Sequence, residues 1–443
     1  MSERDARCTR KGSLAYARGS YGQIASIRPV SAPEPPQLHI DVLIFGGGIA
    51  GLWTLARLRK EGYSCLLLES NALGSGQTIA SQGIIHGGIK YALTGQVSAA
   101  SKAIAEMPAI WKACLDGTGE IDLRGVKVLS DRQYLWTTGG IGSRIAGFAA
   151  SKVIRTAVQS IDSADRPPCF AGAPDGVQVY SVDEPILDPR SLIQSLASQA
   201  DAPILLVPGE EQAIVESDGS GVTLRGVDGR ELLCVPKRIV LTAAEKNARL
   251  LDLLLVGEEA RPAHRKTYVQ QLRPLHMVMV RGYLPDLFGH CIGMSDKPRI
   301  TVTSARTGSE STVWYIGGQL AETGVLRSSS MQIERAALEL RACVPWIRMD
   351  GLRWSSFKIV RAEGPPTPGG RRPDEPLLGR RAHVITAFPT KLAFAPLLAE
   401  RILRAFKLDG VTPSGPGDFG VVDTWPRPEV APLPWDREDL TWT

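Results

Sequence analysis

Between residues 38 and 70 the spacing of apolar positions changes period twice. LHIDVLIF is apolar and β-branched, three glycines follow at Gly46, Gly47 and Gly48, and IAGLWTLARLRKEG then takes helical spacing. A second apolar run, CLLLE, closes on Glu69. This order predicts strand, glycine turn, helix and strand, a βαβ unit. The stretch NALGSGQTIASQGIIHGGIKYALTG after it has neither period and reads as a long glycine-rich loop, a kind that is usually functional in a compact domain. Residues 98–116 carry Ala, Ile, Met, Ile and Trp on one helical stripe, and residues 121–136 alternate as strands do. DPRSLIQSLASQA predicts a helix capped by Asp188 with Pro189 in its first turn.

The middle of the chain is rich in strand signals. PILLVP precedes three runs between residues 211 and 243, joined by Gly-Ser and Asp-Gly turns, and RIVLTA feeds the helical KNARLLDLLL. HMVMVRG, RITVTSA and TVWYIGGQL follow as strands, SSMQIERAALELRACVPWI as a helix, and PPTPGGRRPDEP as a loop. AHVITAF is the last strand, and TKLAFAPLLAERILRAFKL the last amphipathic helix. No internal repeat is present.

The expected fold is α/β: a Rossmann-type nucleotide domain, discontinuous in sequence, with an antiparallel β-sheet substrate domain. The expected nucleotide segments are 40–105, 175–262 and 374–410, and the substrate segments 106–174 and 263–373. Residues 1–39 read as a disordered or irregular tail, and 411–443 as a proline-rich extended tail.

Composition adds exclusions. A net charge of +5 over 443 residues, with no block of like charges and no interleaved aromatic patch, gives no reason for a nucleic-acid partner. The 7 cysteines are scattered without a CxxC pair, which fits reduced thiols in a cytoplasmic protein and no metal site. No apolar run is long enough to span a bilayer, so attachment to a membrane would be peripheral. The first 39 residues lack a signal-peptide core, and Glu3 and Asp5 count against a transit peptide.

Gly46, Gly48 and Gly51 match G-x-G-x-x-G in the required place, after a strand and opening a helix. The first glycine allows the tight turn, the second lets backbone approach a pyrophosphate, and the third lets helix pack on strand. The first-turn amides of Ile49, Ala50 and Gly51 then face the phosphates. Glu69 would accept hydrogen bonds from both ribose hydroxyls and repel a 2′-phosphate, which argues against NADP.

At this point the chain resembles the FAD-dependent D-amino-acid oxidase-like superfamily, and locally the FAD-dependent glycerol-3-phosphate dehydrogenases. The segments that carry the resemblance are ASQGIIHGGIKY, PLHMVMVRG and FPTKLAFAPLLAERI. A similar Ser-Gly-Ile-His-x-Gly-Ile element occurs in L-2-hydroxyglutarate oxidases. The resemblance implies FAD as cofactor. It implies contacts from Ser70, Gln77, Thr78, Ser81, Gln82, Gly83, His86, Gln212, Thr390, Lys391 and Leu392. It also shows departures. The Ala-Gly pair usual after the strand matched by RIVLTA is here Ala243-Ala244, and the helical C-terminal domain of the dehydrogenases is replaced by the proline-rich end.

Flavin dehydrogenation needs a base for the O–H or N–H proton, and cations for an anionic substrate and the charge that grows on the flavin ring. The resemblance places Lys391 at the flavin's pyrimidine end and His276 as the proton acceptor, although a histidine in an apolar strand is more often a core residue. It places Lys90 and Tyr91 against the substrate. Arg361 is the expected grip on a carboxylate or phosphate, with Lys358 and then Arg273 behind it. His39, His264, His290 and His383 receive no role.

The expected activity is hydride transfer from a CH–OH carbon of a small anionic molecule, of glycerol-3-phosphate or 2-hydroxy-acid type, with oxygen or a quinone as electron acceptor. An amino-acid or secondary-amine oxidase on the same fold is the alternative, since fold does not set substrate. A non-catalytic FAD-binding subunit is the third.

Overall fold

In the computed structural model the described residues are 34–88, 99–138, 158–209, 213–215, 221–226, 228–255, 270–293, 295, 297–308, 311–366 and 373–443. The expectations for Lys90, Tyr91 and Gln212, and those for residues 1–33, lie outside them.

The apolar run Gln37–Phe45 becomes a central strand because both of its faces are covered. Val42 and Ile44 enter a core formed with helices Ile49–Lys60, Ala99–Leu115, Pro189–Ser198 and Ala395–Leu408. Leu43 and Phe45 enter another, shared with helix Asn247–Leu254, Val422 and Trp425. The sheet runs in the order Leu377–Arg381, Val384–Phe388, Glu231–Leu241, Gln37–Phe45, Cys65–Glu69, Ile204–Leu206. All neighbours in it are parallel except the first pair, and Val222–Arg225 and Ala213–Val215 extend it antiparallel. Strands from three distant stretches of the chain thus build one Rossmann-type layer.

A second eight-stranded sheet runs Arg353–Glu363, Gln271–Gly282, Thr312–Gly317, Ile300–Arg306, Gly289–Ile292, Gln133–Thr137, Val179–Val182, Val158–Ile161. Its neighbours are antiparallel apart from Gly289–Ile292 with Gln133–Thr137. Side chains alternate across it. Val278 and Val280 pack under helix Ser329–Cys343, whereas Met277, Met279, Tyr315 and Phe357 pack with Ala80 of the glycine-rich loop.

Several boundaries differ from expectation. Val179–Val182 pairs in the second sheet, beyond the expected limit at residue 174. Helix Ala99–Leu115 belongs whole to the nucleotide layer: Ile104, Met107 and Trp111 share its core, and the Trp111 indole donates to the Ala393 carbonyl at 2.9 Å. The first strand begins at Gln37. Segment 411–443 is no free tail. Val411, Val422, Trp425 and Leu433 are buried, Asp41 accepts from Ser414 N at 2.8 Å, and Leu73 and Trp354 pair backbone with Glu429, Ala431 and Thr443. Among the described residues no helix is long and apolar enough to cross a membrane.

Candidate active site

The cradle forms where the first strand ends. Gly46 has φ +102, and a Cβ on it would stand 2.7 Å from the Thr242 carbonyl oxygen and the Ala243 Cα, so only glycine fits. A Cβ on Gly51 would overlap the Gly46 carbonyl oxygen. Gly48 differs. It is the N-cap of helix Ile49–Lys60 at φ −80, and a Cβ there meets only Thr78 Oγ1, at 3.1 Å. Gly48 has no side chain with which to cap the helix; Thr78 Oγ1 does so from the loop, accepting from Ile49 N at 3.0 Å. The amides of Ala50 and Gly51 have no intrahelical acceptor in a first turn. Open space above a glycine N-cap, helix amides and a carboxylate at the next strand end together fit a dinucleotide pyrophosphate and ribose.

Glu69 is more occupied than expected. Its Oε2 accepts from Gly47 N at 2.7 Å, and its Oε1 from Ser70 N at 2.8 Å and Asn71 N at 2.9 Å. Three of about four lone-pair directions are filled. One further donor fits, rather than both ribose hydroxyls.

The loop after Glu69 lies across the second sheet. Ser70 Oγ accepts from Lys246 Nζ at 3.1 Å. Gln77 Oε1 accepts from Ala362 N at 2.9 Å, and Gln82 Nε2 donates to the Thr301 and Tyr315 carbonyls at 3.1 and 2.9 Å. Ser81 Oγ accepts from Gly83 N at 3.4 Å. Gly83 has φ +68, and a Cβ there would overlap the Leu187 carbonyl oxygen. The Gln77 and Gln82 amides and Gly83 therefore hold the loop in place against the protein.

The loop ends on a polar cluster that the sequence did not mark. His86 Nδ1 is 3.5 Å from Glu184 Oε2, and its ring, 41% exposed, stacks on His290 at 5.7 Å. Glu184 is buried and also accepts from Gly87 N at 2.5 Å and from Gln133 Nε2. His290 Nδ1 is 2.8 Å from Thr301 Oγ1; burial and the nearby His86 push its imidazole down to about 3. Nothing in VDEPI distinguishes Glu184 from Asp183, and His290 has no spacing to any partner, so neither was visible in advance.

His276, expected to accept the substrate proton, is buried with Nδ1 3.0 Å from the Gly324 carbonyl and Nε2 3.1 Å from Ser356 Oγ. Burial, with Lys358 and Arg327 nearby, lowers its pKa further below the usual value. No ring nitrogen is left for a substrate, which is the core position a histidine in an apolar strand most often has. Register explains the rest: His276 lies opposite Lys358, and Arg273 opposite Arg361. Pleating sends these two pairs to opposite faces. Lys358 is exposed on the face of His276, apart from Arg361.

Arg361, 17% exposed, lies on the strand where Gln77 docks. It is 3.4 Å from Glu322, which also meets Arg273 at 3.6 Å and Lys297, while Arg273 reaches Glu363 at 3.5 Å. Burial alone would raise the Glu322 carboxyl, but Lys297, Arg361 and Arg273 hold it below its usual range. Among the described residues Lys297, Arg361 and Arg273 thus meet the Glu322 carboxylate, and Arg273 also meets Glu363. Strand order puts Arg361 four strands from His290, roughly 19 Å at usual strand spacing.

Lys391 follows the last parallel strand and opens the turn Leu392–Phe394, with its ammonium 5.5 Å from the Phe394 ring. Thr390 before it is buried at φ +62, a strained conformation for a β-branched residue. Ala244 is also left-handed, at φ +51.

Residues 41–400 match the DAO family model, described as FAD dependent oxidoreductase. The chain is 42% identical over 406 residues to the FAD-dependent oxidoreductase PA4991 of Pseudomonas aeruginosa, across 91% of this chain and 99% of that one. The crystal structure of PA4991 matches with a TM-score of 0.73 at 38% identity over the same shares. A stretch of 81 residues, 18% of this chain and 16% of the other, is 35% identical to a glycerol-3-phosphate dehydrogenase of Pseudomonas tolaasii. Glycine oxidase from Geobacillus kaustophilus shares the fold, with a TM-score of 0.57 at 15% identity over 87% of this chain and 98% of that one. FAD is the cofactor that this family and this cradle call for, and the chain belongs to the DAO family of FAD-dependent oxidoreductases.

Proposed function

We propose that this enzyme oxidises a CH–OH carbon of a small anionic molecule, of glycerol-3-phosphate or 2-hydroxy-acid type, with His86 as proton acceptor. The observation that carries the reading is the half-exposed His86 ring held by the buried Glu184 carboxylate at the end of the loop. An alcohol keeps its proton at neutral pH and needs a base as hydride leaves; an amine can enter already neutral and needs none. A carboxylate on Nδ1 fixes the tautomer, leaves Nε2 to accept, and stabilises the imidazolium that forms. FAD, when bound, takes the hydride.

Arg361 and Arg273 are paired with Glu322 about four strand spacings from His290, a span that a molecule of this size does not bridge from His86, so Lys90, four residues on from His86 in the chain, is the candidate for the anionic end. Lys391 holds positive charge where the ring gains electron density. Ser70, Thr78 and Glu69 belong to the nucleotide half, and Gln77, Gln82 and Gly83 keep the loop seated. Lys90 and Tyr91 remain candidates to line the substrate.

The test is anaerobic bleaching of the flavin by a panel of sugar phosphates, hydroxy acids and amines. Bleaching by an anionic alcohol, lost in His86→Asn while FAD stays bound, is the expected result. Bleaching by glycine or secondary amines alone, unchanged in His86→Asn, would refute it. Reoxidation in air then separates oxygen from a quinone as acceptor.

A further inference from the structure

The helix-covered side of the second sheet holds a cavity of about 410 Å³ that the flavin chemistry does not use. Its charged walls are Arg299, Arg327, Arg335 and Glu339, with Gln319 and Thr323 completing the polar lining. That volume is within the range of small-molecule sites. Arg299 Nε donates to Glu339 Oε1 at 2.7 Å, and Arg335 donates to Glu339 Oε2 at 3.1 Å. Arg327 donates to Gln332 Oε1 at 2.8 Å, a neutral partner. Two guanidinium groups thus share the one carboxylate of this lining, and the third, Arg327, meets only a neutral amide there.

We infer that this cavity is a binding site for a small dianion, a phosphate or a dicarboxylate. Guanidinium forks from three places converge on the space: the residue entering strand Ile300–Arg306, the turn after helix Gln319–Thr323, and helix Ser329–Cys343. Planar forks match phosphate and carboxylate oxygens two at a time. A dianion would balance the two positive charges that Glu339 leaves over. Glu322 lies on the same short helix as Gln319 and Thr323, and it is the partner of Arg361 and Arg273. An occupant that shifts this helix also shifts those two arginines.

The test is calorimetric titration of the FAD-loaded enzyme with inorganic phosphate and, separately, succinate, at ionic strength held constant with chloride. Saturable binding of one of them is expected, and the tighter one names the dianion. Arg327→Gln and Arg335→Gln should each weaken binding about tenfold or more, with FAD content and the flavin spectrum unchanged. Glu339→Gln, which removes the competing carboxylate, should tighten it. Absence of saturable heat with both anions overturns the proposal, as does binding that survives both arginine variants. Binding that perturbs the flavin spectrum and disappears in Arg361→Gln but not in Arg327→Gln assigns the anion to the flavin side, and also overturns it.

Discussion

Gly48→Ala separates the cofactor's claim on the glycine turn from the fold's claim. The backbone there has φ −80 and ψ −176, open to any residue, and the added Cβ meets only Thr78 Oγ1 at 3.1 Å. A hydroxyl on a loop can yield a few tenths of an ångström, so the apo-protein should change by no more than about 0.5 kcal/mol, as at an ordinary tolerant site. With the pyrophosphate of FAD against this glycine, as the G-x-G-x-x-G turn predicts, a methyl there would act as overpacking, worth about 1–3 kcal/mol. That corresponds to roughly 5- to 150-fold weaker FAD binding. Gly51→Ala is the control: its Cβ would overlap the Gly46 carbonyl and stand 2.7 Å from Thr242 Oγ1, so it should unfold or misassemble the turn even without cofactor. Urea midpoints of the two apo-variants, and FAD titration by flavin fluorescence, measure both effects. Gly48→Ala that binds FAD like the wild type would refute the pyrophosphate position; Gly48→Ala that is as unstable as Gly51→Ala would refute the steric separation.

Glu184→Gln should lower kcat by about 10²-fold or more with KM little changed, and rescue by Glu184→Asp would support a charge that orients His86; equal loss of kcat and fold stability would not. Ala244→Gly should raise apo stability by up to about 1 kcal/mol, because the left-handed conformation costs an L-residue about 1–2 kcal/mol and the glycine returns roughly half of that as chain entropy; an unchanged urea midpoint counts against strain at φ +51. Lys391→Met should fold normally and slow flavin reduction by about 10²–10³, with wild-type speed marking it as a surface lysine. His290 is held neutral down to about 3 against 6.5 when unfolded, so the unfolded chain binds the extra proton between those values. Stability should fall as pH drops through that window, and His290→Gln should flatten the urea midpoint against pH; an unaltered profile refutes the neutral ring.

What the sequence made legible was local. The Asp188 cap, with its side chain accepting from Ser191 N, and the G-x-G-x-x-G turn are both set within a few residues. So is the oddity at Ala244: the departure from the usual Ala-Gly pair falls on a residue with positive φ, where glycine would relax the chain. The pairings that build the site are not local. Whether His276 faces a flavin or a helix depends on strand register, which inverts with a shift of one residue. Alternation within LHMVMV tells that its residues divide between two faces, but not which face the loop covers. Glu184 meets His86 only after the chain has supplied helix Ala99–Leu115 and the three strands at one end of the second sheet, so no spacing in the sequence announces the pair.

The proline-rich end is the strongest case of a distant partner deciding a segment's state. With no apolar period and few donors, it reads as extended chain, and apart from short turns such as Gly420–Val422 and Pro434–Asp436 it has no helix or sheet strand of its own. Its carbonyls at Val411, Pro416, Pro426 and Glu429 nevertheless accept from Tyr63 Oη, Arg59 Nη1, Leu206 N and Leu73 N, while Asp41 captures Ser414. Leu206 N lies at the end of a parallel strand and Leu73 N in the loop that follows Glu69, where a Rossmann-type layer leaves backbone groups unpaired, while the Arg59 and Tyr63 side chains reach out from the end of helix Ile49–Lys60 and the turn after it. A segment without its own hydrogen-bond ladder is suited to that task, because its carbonyls are free to serve others. Leu73 both donates to Glu429 and accepts from Ala431, so the segment clasps the loop at the root of the FAD cradle. Ile79, in the same loop, shares a small core with Ala431 and Leu433. The ordering of the cofactor loop therefore depends on residues some 350 positions away in the chain, through contacts that local sequence pattern does not encode.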